Sequence, residues 1–383
     1  MSKKPVITSL QLLMMAVGSA LVFPYTFMPI LDSQPGNQDV WIVLFLGFVY
    51  VLIINAPMLY LMNKFRGISI NDTFDITFGK ALGKIAIIPF VLFFLYCYIA
   101  CIVIIAMFIN IYLFPDTPTW GLLIYVVVPV IYASYKGAGT IGRLAFFLVP
   151  FTIITIVLFF IFGFKLMDFN VLQPILADST FLQLNWGAFL TAARYSEILI
   201  FFVFSYYLTE KSSINKTYAS ALTVFAVCFF LMLLPTILVL GVEYAKHSWN
   251  PYYSFTSQIE ALGFLERMQS INILAWFPIS LLKLTMYNYM ASTVFADLVK
   301  VKSHRYFVAP LAIVGAIISL LPIINNENTV SLLQSDQVFP WVIFPVTFII
   351  PLISLIVYLI RRKKINTIIK QRTEPKELTS NNN

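Results

Sequence analysis

The chain has 383 residues, of which 60% are hydrophobic and 11% are charged. Its mean hydropathy of +0.87 lies far above that of a soluble globular domain and excludes one as the body of the protein. The net charge of +8 requires no nucleic acid, because anionic lipid at the cytoplasmic face of a membrane attracts basic residues in the same way.

Ten apolar stretches are long enough to cross a bilayer, which takes roughly 20 residues. They are continuous rather than alternating, which predicts helices and not an outer-membrane barrel. They run approximately over 7–31, 40–62, 85–114, 119–135, 144–167, 187–208, 217–242, 270–296, 307–325 and 339–360. We therefore expect an all-α, polytopic membrane protein with a single transmembrane domain over residues 1–360.

Ten helices divide into two sets of five, and an odd number per set gives the second set the opposite orientation. This arithmetic predicts an inverted repeat, with one half over about 7–167 and the other over about 187–360. In such folds the binding site lies near the midplane, where the first helix of each half is broken. The corresponding helices here are the first and the sixth.

The first span has Gly18, Ser19 and Ala20 at its centre and Pro24 shortly after them. Glycine weakens a helix and proline removes a backbone hydrogen bond, which together predict a break. The alternative is that the three small residues form a close-packing face between helices.

The sixth span carries Arg194 and Glu197 in its middle, after Thr191 and before a long apolar run. A charge at the membrane centre costs roughly 2.5 to 3.5 kcal/mol on insertion scales, so this face must point toward protein or water. Because the two residues are three apart, they could simply neutralise each other. Lys283 in the eighth span is a third such charge, and could serve as a structural partner of Glu197 or replace a coupling cation.

These charges and the two broken helices predict a cavity for a small zwitterion such as an amino acid, because freed amides attract a carboxylate and freed carbonyls attract an ammonium. Tyr98 and Cys101 in the third span and Tyr287 in the eighth are candidate walls. The full set of candidate ligand-binding residues is Gly18, Ser19, Ala20, Tyr98, Cys101, Ala193, Arg194, Tyr195, Glu197, Lys283 and Tyr287.

Metal and enzyme chemistry are not expected. Cys97, Cys101 and Cys228 lie within predicted spans, while His247 and His304 lie in opposite loops, so no cluster has metal-ligand spacing. No nucleophile and base stand together, and we expect no cofactor. The glycines of 137–142 match a dinucleotide fingerprint, but they lie in a short loop between membrane helices and not after a strand.

Basic residues set the orientation. All but five of the 25 Lys and Arg fall in predicted cytoplasmic segments when the N-terminus is inside; the exceptions are Lys165, Arg194, Lys246, Arg267 and Lys283. This asymmetry places both termini in the cytoplasm. Residues 361–383 are predicted to be a basic, disordered cytoplasmic tail.

Several segments resemble the membrane-embedded B subunit of bacterial spore nutrient germinant receptors, a branch of the amino acid, polyamine and organocation transporter superfamily. They are 7–12 leading to Gly18-Ser19, Lys136 through Arg143, Gly187 through Glu197, Glu266 through Trp276, and Lys283 to Tyr289. Two departures are Gln269, where an acid is expected, and Arg194-Tyr195, where small or apolar residues are expected.

The resemblance implies a five-plus-five inverted repeat, residence in the inner membrane of the spore, and recognition of a small nutrient. It also implies a complex with a larger A subunit and a lipoprotein C subunit, which would convert binding into ion release and germination. The competing hypothesis is a permease that carries an amino acid inward with a proton or sodium ion.

Overall fold

In the computed structural model the chain folds almost entirely into helices. The structure describes residues 7–373 except 27, 29, 210–212, 260–267, 327, 328, 330, 331, 333, 334 and 336. The helices with defined bounds are α1 Ser9–Thr26, α2 Val40–Lys64, α3 Ile70–Phe78, α4 Lys80–Tyr112, α5 Thr119–Lys136, α6 Ala138–Gly163, α7 Phe181–Arg194, α8 Ile198–Phe204, α9 Ile214–Leu240, α10 Val242–His247, α11 Pro251–Ser257, α12 Gln269–Leu298, α13 Arg305–Ser319, α14 Phe339–Phe344, α15 Ile350–Ile360 and α16 Arg362–Thr373. A π-helical segment, Pro345–Ile349, joins α14 to α15.

Nine helical segments of the described chain are long and apolar enough to cross a membrane. They match nine of the ten predicted spans, with α7 and α8 together forming the sixth and α14 to α15 forming the tenth. The predicted ninth span is the shorter apolar helix α13, which has 15 residues and a length of about 22 Å. The all-α, polytopic prediction is confirmed.

The break predicted at Gly18, Ser19 and Ala20 is absent, since α1 is continuous from Ser9 to Thr26. A Cβ added at Gly18 would lie 2.6 Å from Val149 Cγ2 and 3.3 Å from Leu282 Cδ2. The glycine therefore lets α6 and α12 approach the helix closely, as the packing alternative requires. Pro24 lies in the last turn of α1, where it removes only the donor for the carbonyl of Ala20.

The prediction of a disordered tail over residues 361–383 is also wrong for its first part. Residues 362–373 form α16, in which Ile365 is fully buried and Ile368 and Ile369 pack beside it against the end of α2 and against α3. Tyr358 Oη donates to Asn366 Oδ1 at 2.9 Å, and Arg361 donates to the carbonyl of Thr77 at 2.8 Å. An apolar stripe at helical spacing was thus present within the basic segment. Residues 374–383 lie outside the described part.

The connection between the two halves is fastened to the loop before α2 by buried Asp39. Its Oδ1 accepts the backbone N–H of Leu176 at 3.0 Å, and its Oδ2 accepts the hydroxyl of Ser179. The chain then enters α7, whose Gly187 touches the backbone of the same loop at Gln34. These contacts hold the start of the sixth span against the segment that follows the first.

Gly187→Ala is therefore expected to lower the thermal stability of the protein, because a Cβ at this position would overlap the carbonyl oxygen of Gln34. Gly121→Ala in α5 is the matched control, since the nearest atom to its added Cβ is Thr117 Cγ2 at 4.0 Å. Alanine in a helix gains up to about 1 kcal/mol over glycine, so the control should be neutral or stabilising. Melting of the two purified variants in detergent tests this, and equal melting temperatures would contradict the close contact.

Candidate functional site

The sixth span breaks at Tyr195–Glu197, between α7 and α8, and this predicted break is present. Glu197 has a left-handed backbone with φ of 38°, a conformation uncommon outside glycine, asparagine and aspartate. The break interrupts the regular hydrogen-bond ladder of the helix, so its polar groups need partners from elsewhere.

Buried side chains from two neighbouring helices supply those partners. The carbonyl of Ser196 accepts from the Tyr218 hydroxyl of α9 at 3.1 Å and from Asn55 Nδ2 of α2 at 3.5 Å. Ser196 Oγ donates to Asn55 Oδ1 at 2.8 Å, and Asn55 Nδ2 also donates to the Tyr218 hydroxyl at 2.6 Å. This cluster of Asn55, Ser196 and Tyr218 holds the backbone directly before Glu197.

The carboxylate of Glu197 accepts hydrogen bonds from α12 and from α1. Oε1 accepts from Lys283 Nζ of α12 at 2.9 Å, and Oε2 accepts from the Ser19 hydroxyl of α1 at 3.0 Å. Lys283 Nζ also donates to the carbonyl of Ser19 at 2.8 Å. The side chains of Lys283 and Glu197 are 1% and 10% exposed, so three spans are joined by charge-assisted hydrogen bonds away from bulk water.

Aromatic rings complete the surroundings of the lysine. Nζ of Lys283 lies 3.7 Å from the centroid of the Phe23 ring and 5.6 Å from that of Tyr287. The approach to Phe23 is a close cation–π contact, which stabilises an ammonium that is buried away from water. Phe23 in turn packs edge-on against Tyr195 at 6.3 Å and Phe339 at 6.2 Å.

A small cavity opens beside the ion pair. It is lined by Phe23, Phe93, Arg194, Glu197, Leu199, Ile200, Tyr287, Phe339, Ile343 and Thr347. The volume of the cavity is about 20 Å³, which is enough for a water molecule but not for a complete amino acid. A molecule larger than water therefore fits only if some of these side chains move.

Arg194 lies one turn before Glu197 in the chain and contributes to the same cavity. Its side chain is buried, and Nη1 donates to Ser33 Oγ at 3.4 Å in the loop that follows the first span. The guanidinium thus connects the cavity to that loop, while Glu197 faces α1 and α12.

The chain just before α1 pairs through its backbone with the chain that follows α8. The N–H of Ile7 donates to the carbonyl of Tyr207, and the N–H of Thr209 donates to the carbonyl of Ile7, both at 3.1 Å. Beside them the rings of Tyr207 and Tyr289 lie 6.1 Å apart, and His304 packs on Tyr289 at 5.0 Å. Burial lowers the pKa of His304, so this ring is neutral at pH 7.

The structure brings some of the predicted residues together and separates others. Ser19, Arg194, Glu197, Lys283 and Tyr287 surround the cavity or the ion pair beside it. Tyr195 packs among rings, and Gly18 faces α6 and α12. The remaining candidates are buried but do not line the cavity: Ala20, Tyr98, Cys101 and Ala193.

Tyr98 shows why a candidate residue can be buried without lining the cavity. Its hydroxyl donates to the carbonyl of Ala312 at 3.4 Å, and its ring fits against Gly315, so it faces α13. Cys97, one position earlier, is the residue of α4 whose thiol interacts with the Tyr287 hydroxyl. A shift of one position rotates a helical side chain by about 100°, enough to reach another neighbour.

Sequence reasoning missed the apolar lining of the cavity. Phe23, Phe93 and Phe339 are three of 36 phenylalanines, and nothing in the sequence distinguishes them. Thr347 carried a weak signal as a polar residue within the tenth span. In the described residues, no group of three or more His, Cys, Asp or Glu is arranged to hold a metal ion.

Comparisons with known proteins agree with this architecture. A family model described as spore germination protein matches residues 6–328. Spore germination protein YndE of Bacillus subtilis (strain 168) is 23% identical over 321 residues, covering 84% of this chain and 86% of that protein. Spore germination protein A2 of the same organism is 26% identical over 273 residues, covering 68% and 72% of the two chains.

A solved structure also matches. The crystal structure of MhsT in complex with L-phenylalanine superposes with a TM-score of 0.63 and 14% identity, covering 94% of this chain and 99% of that one. This likeness shows the LeuT-type fold, which is built from inverted repeats. The resemblance inferred from the sequence is confirmed: the chain is an integral membrane protein that belongs to the spore germination protein family.

Proposed function

We propose that this chain is the nutrient-sensing subunit of a spore germinant receptor. It binds a small nutrient, an amino acid, between α1, α4, α12 and the break of the sixth span. Binding favours one of two arrangements of the repeats, because a ligand shifts an equilibrium by its differential affinity for the two states. A-type and C-type partner subunits detect that shift at the inner membrane of the spore, with both termini of this chain in the cytoplasm.

The observation that carries this proposal is the position of the Lys283 ammonium. It bonds at once to the Ser19 carbonyl and the Glu197 carboxylate, the kinds of ligand that a coupling cation takes in transporters with broken helices. A cation fixed to a side chain cannot be released on the far side of the membrane. This supports a sensor that changes state over one that moves an ion with each nutrient molecule.

The choice of an amino acid is supported by the charges around the cavity. Arg194 offers a guanidinium that suits a carboxylate, and the break supplies backbone dipoles near Glu197. MhsT, which has the same fold, was crystallised in complex with L-phenylalanine.

The alternative is an ion-coupled amino acid permease that carries a proton or a sodium ion with the amino acid, and the fold that this chain shares with MhsT is compatible with it. In that case Glu197 or Lys283 would be the coupling group. Uptake of radiolabelled amino acids into vesicles separates the two functions. Sustained accumulation driven by an ion gradient would establish the permease and defeat the sensor.

Replacing sodium by choline in the germination buffer is expected to leave the nutrient response unchanged, since Lys283 already occupies the cation position. The measurement is the loss of optical density of spores exposed to single amino acids, in spores that carry or lack this chain. A response that requires sodium would contradict the role given to the lysine. A response that does not depend on this chain would defeat the sensor proposal itself.

A further inference from the structure

The cavity has two chemically different walls. Arg194 and Glu197, at the break of the sixth span, form the charged wall. The tenth span forms much of the opposite wall, through the apolar Phe339 and Ile343 and through Thr347. These three residues are four apart, which places them on one face of the helix. A zwitterion with its charged groups at the sixth span therefore directs its side chain toward the tenth.

Phe339 occupies the space that such a side chain needs. It is buried, with its ring 6.2 Å from that of Phe23 and 6.4 Å from that of Tyr96. Phe23 is held in place from the other side by Lys283 and Tyr195. The ring of Phe339 is thus packed between neighbouring rings, and the cavity left beside it has a volume of about 20 Å³.

The backbone of this span is irregular next to the cavity. The π-helical segment Pro345–Ile349 begins two residues after Ile343 and contains Thr347, whose hydroxyl donates to the carbonyl of Ile343 at 3.0 Å. Single π-helical turns are rare, and they occur frequently at functional sites. The irregularity supports a binding role for a span that the sequence had not connected with the site.

We propose that Phe339 sets the upper limit on the size of the nutrient's side chain, so that this chain responds to amino acids with small apolar side chains and excludes large ones. The proposal rests on the proposed function and adds the class of nutrient to it. Removing a large buried side chain leaves an apolar cavity that accepts apolar groups of matching size. Phe339→Ala would therefore admit the ring or branched chain that the native residue excludes.

The test measures germination of spores that carry the native chain or Phe339→Ala, with L-alanine, L-valine, L-leucine and L-phenylalanine as separate nutrients. The native chain should respond to the small amino acids at the lowest concentrations. In Phe339→Ala the half-maximal concentration of L-leucine or L-phenylalanine should fall, relative to L-alanine, by at least about 10-fold, because a single methylene in an apolar pocket already changes discrimination by about 10- to 200-fold.

Phe344→Ala is the matched control, because Phe344 lies in the same span but packs on Phe189 and Phe348 and does not line the cavity. Ile343→Ala enlarges the same wall and serves where Phe339→Ala fails to accumulate in the membrane. The proposal is overturned if the native chain prefers large side chains, if neither enlarged variant changes the order of preference, or if Phe344→Ala changes it equally.

The failure of this inference is distinguishable from the failure of the proposed function. Glu197→Gln tests the site as a whole. If spores with this variant respond as native spores do, the central cavity is not the nutrient site. Suppose that Glu197→Gln abolishes the response while Phe339→Ala keeps the native order of preference among amino acids. The sensor proposal is then supported, and the limit on side-chain size is not set by Phe339.

Discussion

Lys283→Ala is expected to abolish the nutrient response and to lower the free energy of unfolding by about 3–5 kcal/mol, the cost of leaving one partner of a buried ion pair alone. The variant removes the ammonium that neutralises Glu197 and the donor to the Ser19 carbonyl. Water would have to enter between α1, α12 and the sixth span to solvate the carboxylate. Thermal melting in detergent and germination of spores with the variant measure the two effects.

The protein contains its own control for this prediction. Lys246 and Glu243 form an ion pair at 3.1 Å with side chains 25% and 78% exposed, and an exposed pair contributes only about 0–1 kcal/mol. Lys246→Ala should therefore leave both stability and response close to those of the native chain. Equal destabilisation by the two lysine substitutions would show that Lys283 is not buried against Glu197.

A double variant separates stability from sensing. Lys283→Ala with Glu197→Gln removes both charges, so no uncompensated carboxylate remains, and much of the lost stability should return. The response should stay absent, because the cation that joins the first, sixth and eighth spans is missing. Recovery of the response by the double variant would assign the ion pair a purely structural role.

The fold was predictable because continuous hydrophobicity determines which segments cross a membrane, and it depends on composition more than on contacts. The polar stretch before Glu197 interrupts such a segment, and the break occurs there. In the sequence, Gly18, Ser19 and Ala20 favoured a break but were also compatible with close packing. The positions of Val149 and Leu282 decide between them, and those positions are tertiary information.

The charges of the site were visible in the sequence, but their pairing was not. The spacing of Arg194 and Glu197 suggests a shared face only if the helix is continuous between them. The left-handed residue at Glu197 ends that register and turns the carboxylate to Lys283. The aromatic contacts were less accessible still, because the 3.7 Å approach of Phe23 to Lys283 depends on how α1 and α12 pack.

The break itself depends on residues that sequence reasoning did not connect with the site. Asn55 and Tyr218 lie on α2 and α9, and their side chains satisfy both the carbonyl and the hydroxyl of Ser196. Without them the polar groups of the break would be buried with no partner, which costs about 1–3 kcal/mol for each group. They act as positioning residues for Glu197.

Asn55→Leu is therefore expected to destabilise the protein by about 1–3 kcal/mol for each group left without a partner and to raise the nutrient concentration needed for a response. Tyr218→Phe should have a smaller effect, because the Ser196 carbonyl keeps Asn55 at 3.5 Å. Asn63→Leu is the control: Asn63 is exposed on the same helix, and its amide donates to Asn215 Oδ1. Melting in detergent and dose–response curves for germination provide the measurements.

The loss of stability and the change in the nutrient concentration needed for a response together identify the role of the cluster of Asn55, Ser196 and Tyr218. A scaffold residue would reduce the amount of protein in the membrane while the remaining molecules respond at the native concentration. A positioning residue changes that concentration itself, because Glu197 no longer meets Lys283 and Ser19 in the same geometry. Asn55→Leu molecules that respond at the native concentration would refute the positioning role, and Asn55→Asp, which keeps the acceptor for Ser196 Oγ, should lie between Asn55→Leu and the native chain.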